Sequence, residues 1–344
     1  MTRPAWDWRL SDLSAVPQHG RTVFSCFSCG GGSTMGYKRA GYTVLGNVEI
    51  DPQMMRLYKK NHNPRFPFQM PIQEFKLLPA SQLPKELFDL SILDGSPPCS
   101  VFSMSGQRDK KWGNEHKFRE GQAVQRLDDL FFDFLDVAEL LQPRVIVAEN
   151  VTGMINGKAR GYVSLVLSRL RSIGYRPQLF LLNSATMGVP QKRERLIFIA
   201  ARNDLNFPLL KLEFNEPPVL YGDIQGGEGK PLKAGGVTYQ RWHKRRPVDA
   251  DMGDISLRHE GKQSSFNTRL MRRGKVANTL LSSSFYVRYD EPCRISDTDI
   301  IRLQTFPADY DFMDADVQYV CGMSVPPLMM QRIAEQIHEQ WLSK

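Results

Sequence analysis

The stretch Asp94-Gly95-Ser96-Pro97-Pro98-Cys99-Ser100-Val101-Phe102-Ser103 decides how this chain reads. An apolar run, Phe88 to Leu93, precedes it and reads as a buried strand. Gly95 and the Pro97–Pro98 pair then break regular structure. Cys99 is thereby presented on a rigid turn past a strand's carboxyl end, where open α/β sheets place their ligands. A thiol held that way is a candidate nucleophile. On this stretch alone the alternative stays open that Cys99 is one more buried small hydrophobe.

Working outward, strand-like and helix-like segments alternate. Thr22–Phe27 runs into the glycine-rich loop Cys29-Gly-Gly-Gly-Ser-Thr-Met-Gly36, the opening of a doubly wound α/β unit. Tyr42–Ile50, Val145–Ala148, Leu179–Asn183 and Arg195–Ala200 read as further strands. Leu127–Leu141 and Tyr162–Ile173 read as amphipathic helices. The alternation predicts a mostly parallel sheet with helices on both faces. Residues 1–20 are polar and read as an arm or short cap. From Asn206 the pattern changes. Residues 206–277 are rich in Gly, Pro and Asn, have no long helical period, and carry 13 basic against 8 acidic side chains. They read as a smaller, irregular, basic module inserted between residues 1–205 and 278–344, where Asp297–Leu303 and about Pro327–Leu342 read as helices.

Bulk properties narrow the function. The 344 residues carry a net charge of +8, which mildly favours an acidic partner. Five cysteines without framework spacing suggest a reducing compartment. The first residues form neither a signal peptide nor a membrane span, so a cytoplasmic protein is expected. Cys26-x-x-Cys29 has no matching Cys/His pair to complete a four-ligand zinc site, and no metal is expected. No Gly-x-x-x-x-Gly-Lys-Ser/Thr is present, which argues against an NTPase.

Three further groups carry chemistry. Glu49 ends the strand after the glycine loop, where an acid bonds the two hydroxyls of an adenosine ribose; it also reads as an exposed strand-end acid. Glu149 in Val147-Ala-Glu-Asn-Val151 ends another strand on the sheet edge of Cys99. A carboxyl there could exchange a proton with a substrate if partial burial raised its pKa. Arg193 and Arg195 in Gln191-Lys-Arg-Glu-Arg195 share a face if the segment is extended, and two guanidinium forks suit a phosphate or a base carbonyl. A solvated charge run ahead of a strand is the alternative.

Taken in order, Phe27-Ser-Cys-Gly-Gly-Gly, Glu49, Ser96-Pro-Pro-Cys-Ser-Val-Phe-Ser103, Glu149-Asn-Val151, Gln191-x-Arg193-x-Arg195, Arg302-Leu-Gln-Thr-Phe-Pro307 and Gly322-x-Ser-Val-Pro326 give the chain its resemblance. It resembles the DNA (cytosine-5)-methyltransferases from the first strand to the last helix. The resemblance implies a Rossmann-like S-adenosylmethionine-dependent methyltransferase fold with a target-recognition domain in the basic module. By that match Cys99 adds to cytosine carbon 6, Glu149 holds the ring at N3 and the exocyclic amine, and Arg195 with Arg193 holds the base carbonyl.

The resemblance further implies that the cofactor, S-adenosylmethionine, is bordered by Phe27, Ser28, Cys29, Gly31, Gly32, Glu49, Ile50, Ile72, Pro98, Leu130, Met323, Ser324 and Val325. Cys29, Pro71 and Met323 depart from the family's usual residues, all on the cofactor side, so altered cofactor binding is expected as an open alternative. The partner implied is double-stranded DNA, whose target base must be flipped out of the stack. Ser100, Ser103, Gln107 and Arg108 on the loop after Cys99, and Arg241, Lys244, Arg245, Arg272 and Arg273 in the basic module, are the expected DNA contacts. A monomer, with a cognate restriction endonuclease as a companion, completes the expectation. A tRNA cytosine-5 methyltransferase, which shares most of the motifs, and a non-catalytic DNA-binding homologue are the competing readings.

Overall fold

A computed structural model describes residues 3–98, 129–155 and 159–343, with the backbone of 115–116 and 125–126. Two compact units divide the chain. The sheet unit comprises Ser11–Asn183, Glu194–Phe214 and Met329–Lys344; the second unit comprises Met1–Leu10, Ser184–Arg193 and Asn215–Leu328. Most of the basic stretch from Asn215 onward therefore belongs to the second unit, and 206–214 to the sheet unit.

The sheet unit is built on seven strands: β1 (Thr22–Cys26), β2 (Thr43–Val48), β3 (Phe66–Phe68), β4 (Ile92–Gly95), β5 (Val145–Val151), β6 (Tyr175–Asn183) and β7 (Glu194–Arg202). Their spatial order is β3-β2-β1-β4-β5-β7-β6. All pairs from β3 to β5 are parallel, and β7 runs antiparallel to both its neighbours. The expected mostly parallel α/β sheet is what forms. The order reverses between β1 and β4, which makes the carboxyl ends of those strands the switch point where such sheets bind ligands.

Side-chain alternation separates the two faces. Phe24, Leu93, Ala148 and Phe198 face a core shared with α3 (Ile72–Phe75), α4 (Leu130–Leu141) and α5 (Ala159–Ser172). Ser25, Asp94 and Glu149 lie on the other face, toward α1 (Gly32–Arg39), whose Tyr37 hydroxyl donates to Asp94 at 3.2 Å. Gly95 still belongs to β4. A Cβ there would come within 2.6 Å of the Phe134 ring, so the glycine serves the seating of α4. Phe88 and Asp89, expected in this strand, close a 3-10 turn (Lys85–Asp89) instead.

Helix α2 (Pro52–His62) starts sharply. Asp51 accepts from the amides of Gln53 and Met54, and Pro52 occupies the first turn. Such a cap contributes about 1 kcal/mol. The chain's last helix, Pro327–Ile337, continues as a π-helical turn, His338–Leu342.

In the second unit, Thr268–Met271 pairs with Phe285–Arg288, and Gln191–Lys192 with Ala277–Asn278. Three short helices, Tyr221–Ile224, Val237–His243 and Met252–Glu260, interrupt the basic stretch. Trp242, Met252, Ile255, Leu270 and Val287 form a small apolar cluster there. The N-terminal segment is less detached than an arm. Trp8 is buried and its indole donates to the Thr305 carbonyl at 2.8 Å.

Candidate active site

The loop after β1 turns in a short space. Phe27, Cys29 and Gly31 all have positive φ (56°, 46° and 79°), and the Gly31 amide closes the turn on the Ser28 carbonyl. Side chains of β2 and its following loop hold this conformation. Asn47 donates to Ser28 Oγ at 2.8 Å. Glu49 Oε2 accepts from the Cys29 amide at 2.8 Å, and its Oε1 from the Asp51 amide at 2.9 Å. Glu49 is buried, and burial pushes its carboxyl above the ordinary value, while the amides of Asp51, Cys29 and Ile50 pull the other way. With the Ile50 amide also on it, the carboxylate keeps about one of its roughly four lone-pair sites. That leaves acceptor capacity for a ribose hydroxyl at the carboxyl end of β2, so Glu49 fits the adenosine half of S-adenosylmethionine.

Cys29 turns its sulfur onto Met54 of α2, at 3.7 Å. Below the loop, His62 Nε2 donates to the Gly30 carbonyl at 3.1 Å. Burial, aided by the nearby Lys38 charge, lowers the His62 pKa to about 3, so the ring is neutral. Ile50 and Phe27 are half-buried. Ile72 and Leu130, expected at the cofactor, have their side chains in the apolar core.

The turn after β4 is tied from two sides. The Ser96 amide reaches the Cys26 carbonyl at 3.4 Å, and Asn150 Nδ2 donates to the Pro97 carbonyl at 3.1 Å. Asn150 is buried, and no role is predicted for it from sequence beyond its place beside Glu149. Pro98 is half-buried and ends the described part of this turn. Cys99, Ser100, Ser103, Gln107 and Arg108 lie outside the described residues.

Glu149 and Arg195 meet. Arg195 Nε lies 2.6 Å from Glu149 Oε1, with about an eighth of each side chain exposed (13% and 12%). Strand register brings this about: Ile197 pairs with Glu149 and Arg195 with Val151, so Glu149 and Arg195 are diagonal neighbours on one face. The pair presents one carboxyl and one guanidinium at the end of β5, next to the residue that holds the Pro97 turn.

Arg193 belongs to the second unit and is used differently. It is buried, and its fork donates to the carbonyls of Leu280 (3.1 Å) and Gly322 (3.3 Å). Gln191 donates to the Leu303 carbonyl and Gln304 Oε1 and accepts from the Leu280 amide. Gln304 in turn donates to the Ser324 carbonyl at 2.6 Å. The Gln-x-Arg, Arg-Leu-Gln-Thr-Phe-Pro and Gly-x-Ser-Val-Pro segments thus form one hydrogen-bonded knot. Ser324 and Val325 are buried in it, and Met323 is 43% exposed.

A scan against family models matches C-5 cytosine-specific DNA methylase over residues 21–339. The chain belongs to the C-5 cytosine-specific DNA methylases. Type II methyltransferase M1.HphI of Haemophilus parahaemolyticus is 27% identical over 92% of this chain and 86% of its own length. Type II methyltransferase M.DdeI of Desulfomicrobium norvegicum is 30% identical over 53% of this chain, which spans 41% of that relative. A substituted form of DNMT2 from Spodoptera frugiperda superposes with a TM-score of 0.66 at 15% identity, covering 92% of this chain and 99% of that one, and shares the fold. As a C-5 DNA methylase the protein is an enzyme that methylates cytosine in DNA. Among the described residues no helix is long and apolar enough to cross a membrane.

The cations expected to meet DNA divide into two kinds. Arg241 is buried, and its fork is held by Glu260 at 2.8 and 2.6 Å and by the Ser264 and Ser265 hydroxyls. Arg245 stacks over the Trp242 ring at 3.4 Å and Arg272 over the Tyr289 ring at 3.8 Å. Lys244 and Arg273 project into solvent, the latter 3.7 Å from Glu291.

Proposed function

We propose that this methylase acts on duplex DNA by covalent catalysis at Cys99 on a cytosine turned out of the helix. The reading is supported most by one observation. Adjacent residues of β5 do two jobs: Glu149 faces Arg195 at 2.6 Å, and Asn150 holds the Pro97 carbonyl one residue short of Pro98-Cys99. A carboxyl and a guanidinium side by side match the polar edge of cytosine. Glu149 would meet ring nitrogen 3 and the exocyclic amine, and Arg195 the ring carbonyl.

The Cys99 thiolate forms a bond to carbon 6, and the electron pair of the 5,6 double bond moves into the ring, where a proton held between Glu149 and nitrogen 3 neutralises it. Once carbon 5 carries the methyl group, its proton passes to a water molecule, and the electrons of that C–H bond restore the double bond as the thiolate leaves carbon 6. Arg193, with its fork on two backbone carbonyls, is a positioning residue. Phe27, Ser28, Gly31, Gly32 and Glu49 would hold S-adenosylmethionine, which supplies the electrophilic methyl group when bound. The carbon target lies inside a base-paired stack, so the base has to leave it. Exposed Lys244 and Arg273 supply phosphate contacts, and the knot of Gln191, Arg193 and Gln304 stiffens the unit that carries them.

Duplex DNA with 5-fluorocytosine at the target tests the covalent step. Fluorine replaces the hydrogen whose loss releases the enzyme, so the adduct persists. Peptide mass mapping is expected to find the nucleotide on Cys99; a persistent adduct on another residue, or none during turnover on ordinary DNA, overturns the reading.

A further inference from the structure

A cleft of about 480 Å³ lies beside the first residues of β2, and every residue that lines it belongs to the sheet unit. Its walls come from the 3-10 turn Leu10–Ala15, the last turn of α1, the start of β2 and the end of α2 with the residues after it. Glu49 follows the opposite end of β2. The size falls within the range of about 300–1,000 Å³ usual for small-molecule sites. Leu13, Val44 and Leu45 give the cleft an apolar wall, and among the described residues that line it none is acidic.

Lys38 supplies the charge. It is half-buried in the cleft wall, and its ammonium donates to the His62 carbonyl at 2.9 Å. That bond caps the end of α2 and uses one of three N–H donors. Burial pushes the ammonium below its ordinary value, and no carboxylate among the described residues pulls it back. A cation withdrawn from water is ordinarily paired with an anion. The groups around it do not supply one. The His62 ring is neutral, through burial first and then the Lys38 charge. Tyr42 donates its hydroxyl to the Ala334 carbonyl. Arg65, the second cation of the cleft, has an acid of its own outside the lining, Glu86 at 2.7 Å, in an exposed pair. A cation short of its counter-charge, in a cleft with an apolar wall, is the pattern of a binding site rather than of a surface lysine.

We propose that this cleft is a second ligand site, for a small molecule that brings a carboxylate or phosphate group to Lys38 and lays an apolar body against Leu13, Val44 and Leu45. The anion takes the N–H donors that the His62 carbonyl leaves, and the cap on α2 stays in place. The site has no part in the transfer chemistry proposed above, so it stands or falls independently of Cys99 and Glu149.

Isothermal titration of the full chain, without DNA and at constant ionic strength, tests this with hexanoate, phenyl phosphate and hexanol. One saturable site is expected for at least one of the two anions, and the anion that binds names the head group. Hexanol is expected to bind at least about tenfold more weakly than that anion, and Lys38→Met to weaken the anion at least about tenfold, the loss of one charge-assisted hydrogen bond. Binding of the anion is expected to persist in excess S-adenosylmethionine; displacement by it would put the anion in the cofactor loop and overturn the proposal. No binding of either anion, equal binding of hexanol, or undiminished affinity in Lys38→Met overturns it as well. If Lys38→Met melts early, Ser14→Trp narrows the cleft from its 3-10 turn and leaves Lys38 in place. It must weaken the same anion, and unchanged affinity there also overturns the proposal.

Discussion

A Cβ on Gly31 would lie 2.1 Å from Nε2 of His62. The glycine at this point of the loop is required by a ring beneath it as well as by its φ of +79°. The same ring donates to the Gly30 carbonyl, so α2 braces the loop that would hold the cofactor.

Gly31→Ala is therefore expected to weaken S-adenosylmethionine binding at least about tenfold by isothermal titration. The double variant Gly31→Ala/His62→Ala removes the collision and should recover part of that loss. The left-handed backbone remains, at a cost of about 1–2 kcal/mol. Equal losses in the single and double variants would show that the collision does not matter.

Glu149 and Arg195 are predicted to act through chemistry more than through DNA affinity. Glu149→Gln should lower kcat by about 10²–10⁴, the usual range for a proton-handling group. Arg195→Lys keeps the charge but loses the Nε–H that reaches Glu149. A kcat loss of at least about tenfold with unchanged gel-shift affinity is expected.

Stability should fall with acid through a stacked histidine pair. The His19 and His338 rings lie 3.9 Å apart at 9°, with Tyr42 edge-on to His19. Burial lowers both pKa values below 6.5, and in His19 the neighbouring His338 adds to this. The unfolded chain then binds more protons below pH 6.5, so this contribution is complete above that pH and is lost as pH falls below it. Melting temperatures at pH 7.5 and pH 5 should differ less in His338→Gln than in the wild type. An equal or larger difference contradicts the assignment.

Cations of the second unit should separate into binders and structural groups. Lys244→Ala and Arg273→Ala are expected to reduce the salt dependence of DNA binding, each by a slope of about 0.9 if it neutralises one phosphate. Arg241→Ala should leave that slope alone and lower the melting temperature, because its fork is spent on Glu260. A changed salt slope in Arg241→Ala would contradict this.

Much of the sheet is legible from hydrophobic pattern, because β1, β2, β5 and β7 carry runs long enough to be read. β4 is misplaced toward its amino end, since Phe88 is apolar yet lies in a 3-10 turn, and Gly95 reads as a breaker although it stays in the strand. Glu149 and Arg195 are recognisable from their motifs, and register brings them together. In sequence Arg193 reads as the partner of Arg195 at the base carbonyl and Arg241 as a DNA contact, yet both forks are spent inside the protein. Whether a guanidinium faces solvent or a backbone carbonyl depends on Leu280, Gly322 and Glu260, which are distant or off-pattern. Asp94 heads the most informative motif but receives no role from sequence, since its donors Ser25 and Tyr37 stand 69 and 57 residues away. His62 carries no signal at all: a lone histidine at a helix end is ordinary until the Gly30 carbonyl is found above it.

Nucleoside mass spectrometry of DNA from cells expressing the protein, beside cells expressing Cys99→Ala, tests the central claim most directly. The account predicts 5-methylcytosine above background with the unaltered protein and none above background with Cys99→Ala. Equal 5-methylcytosine from both proteins, or none from the unaltered protein on DNA of varied sequence, would contradict it.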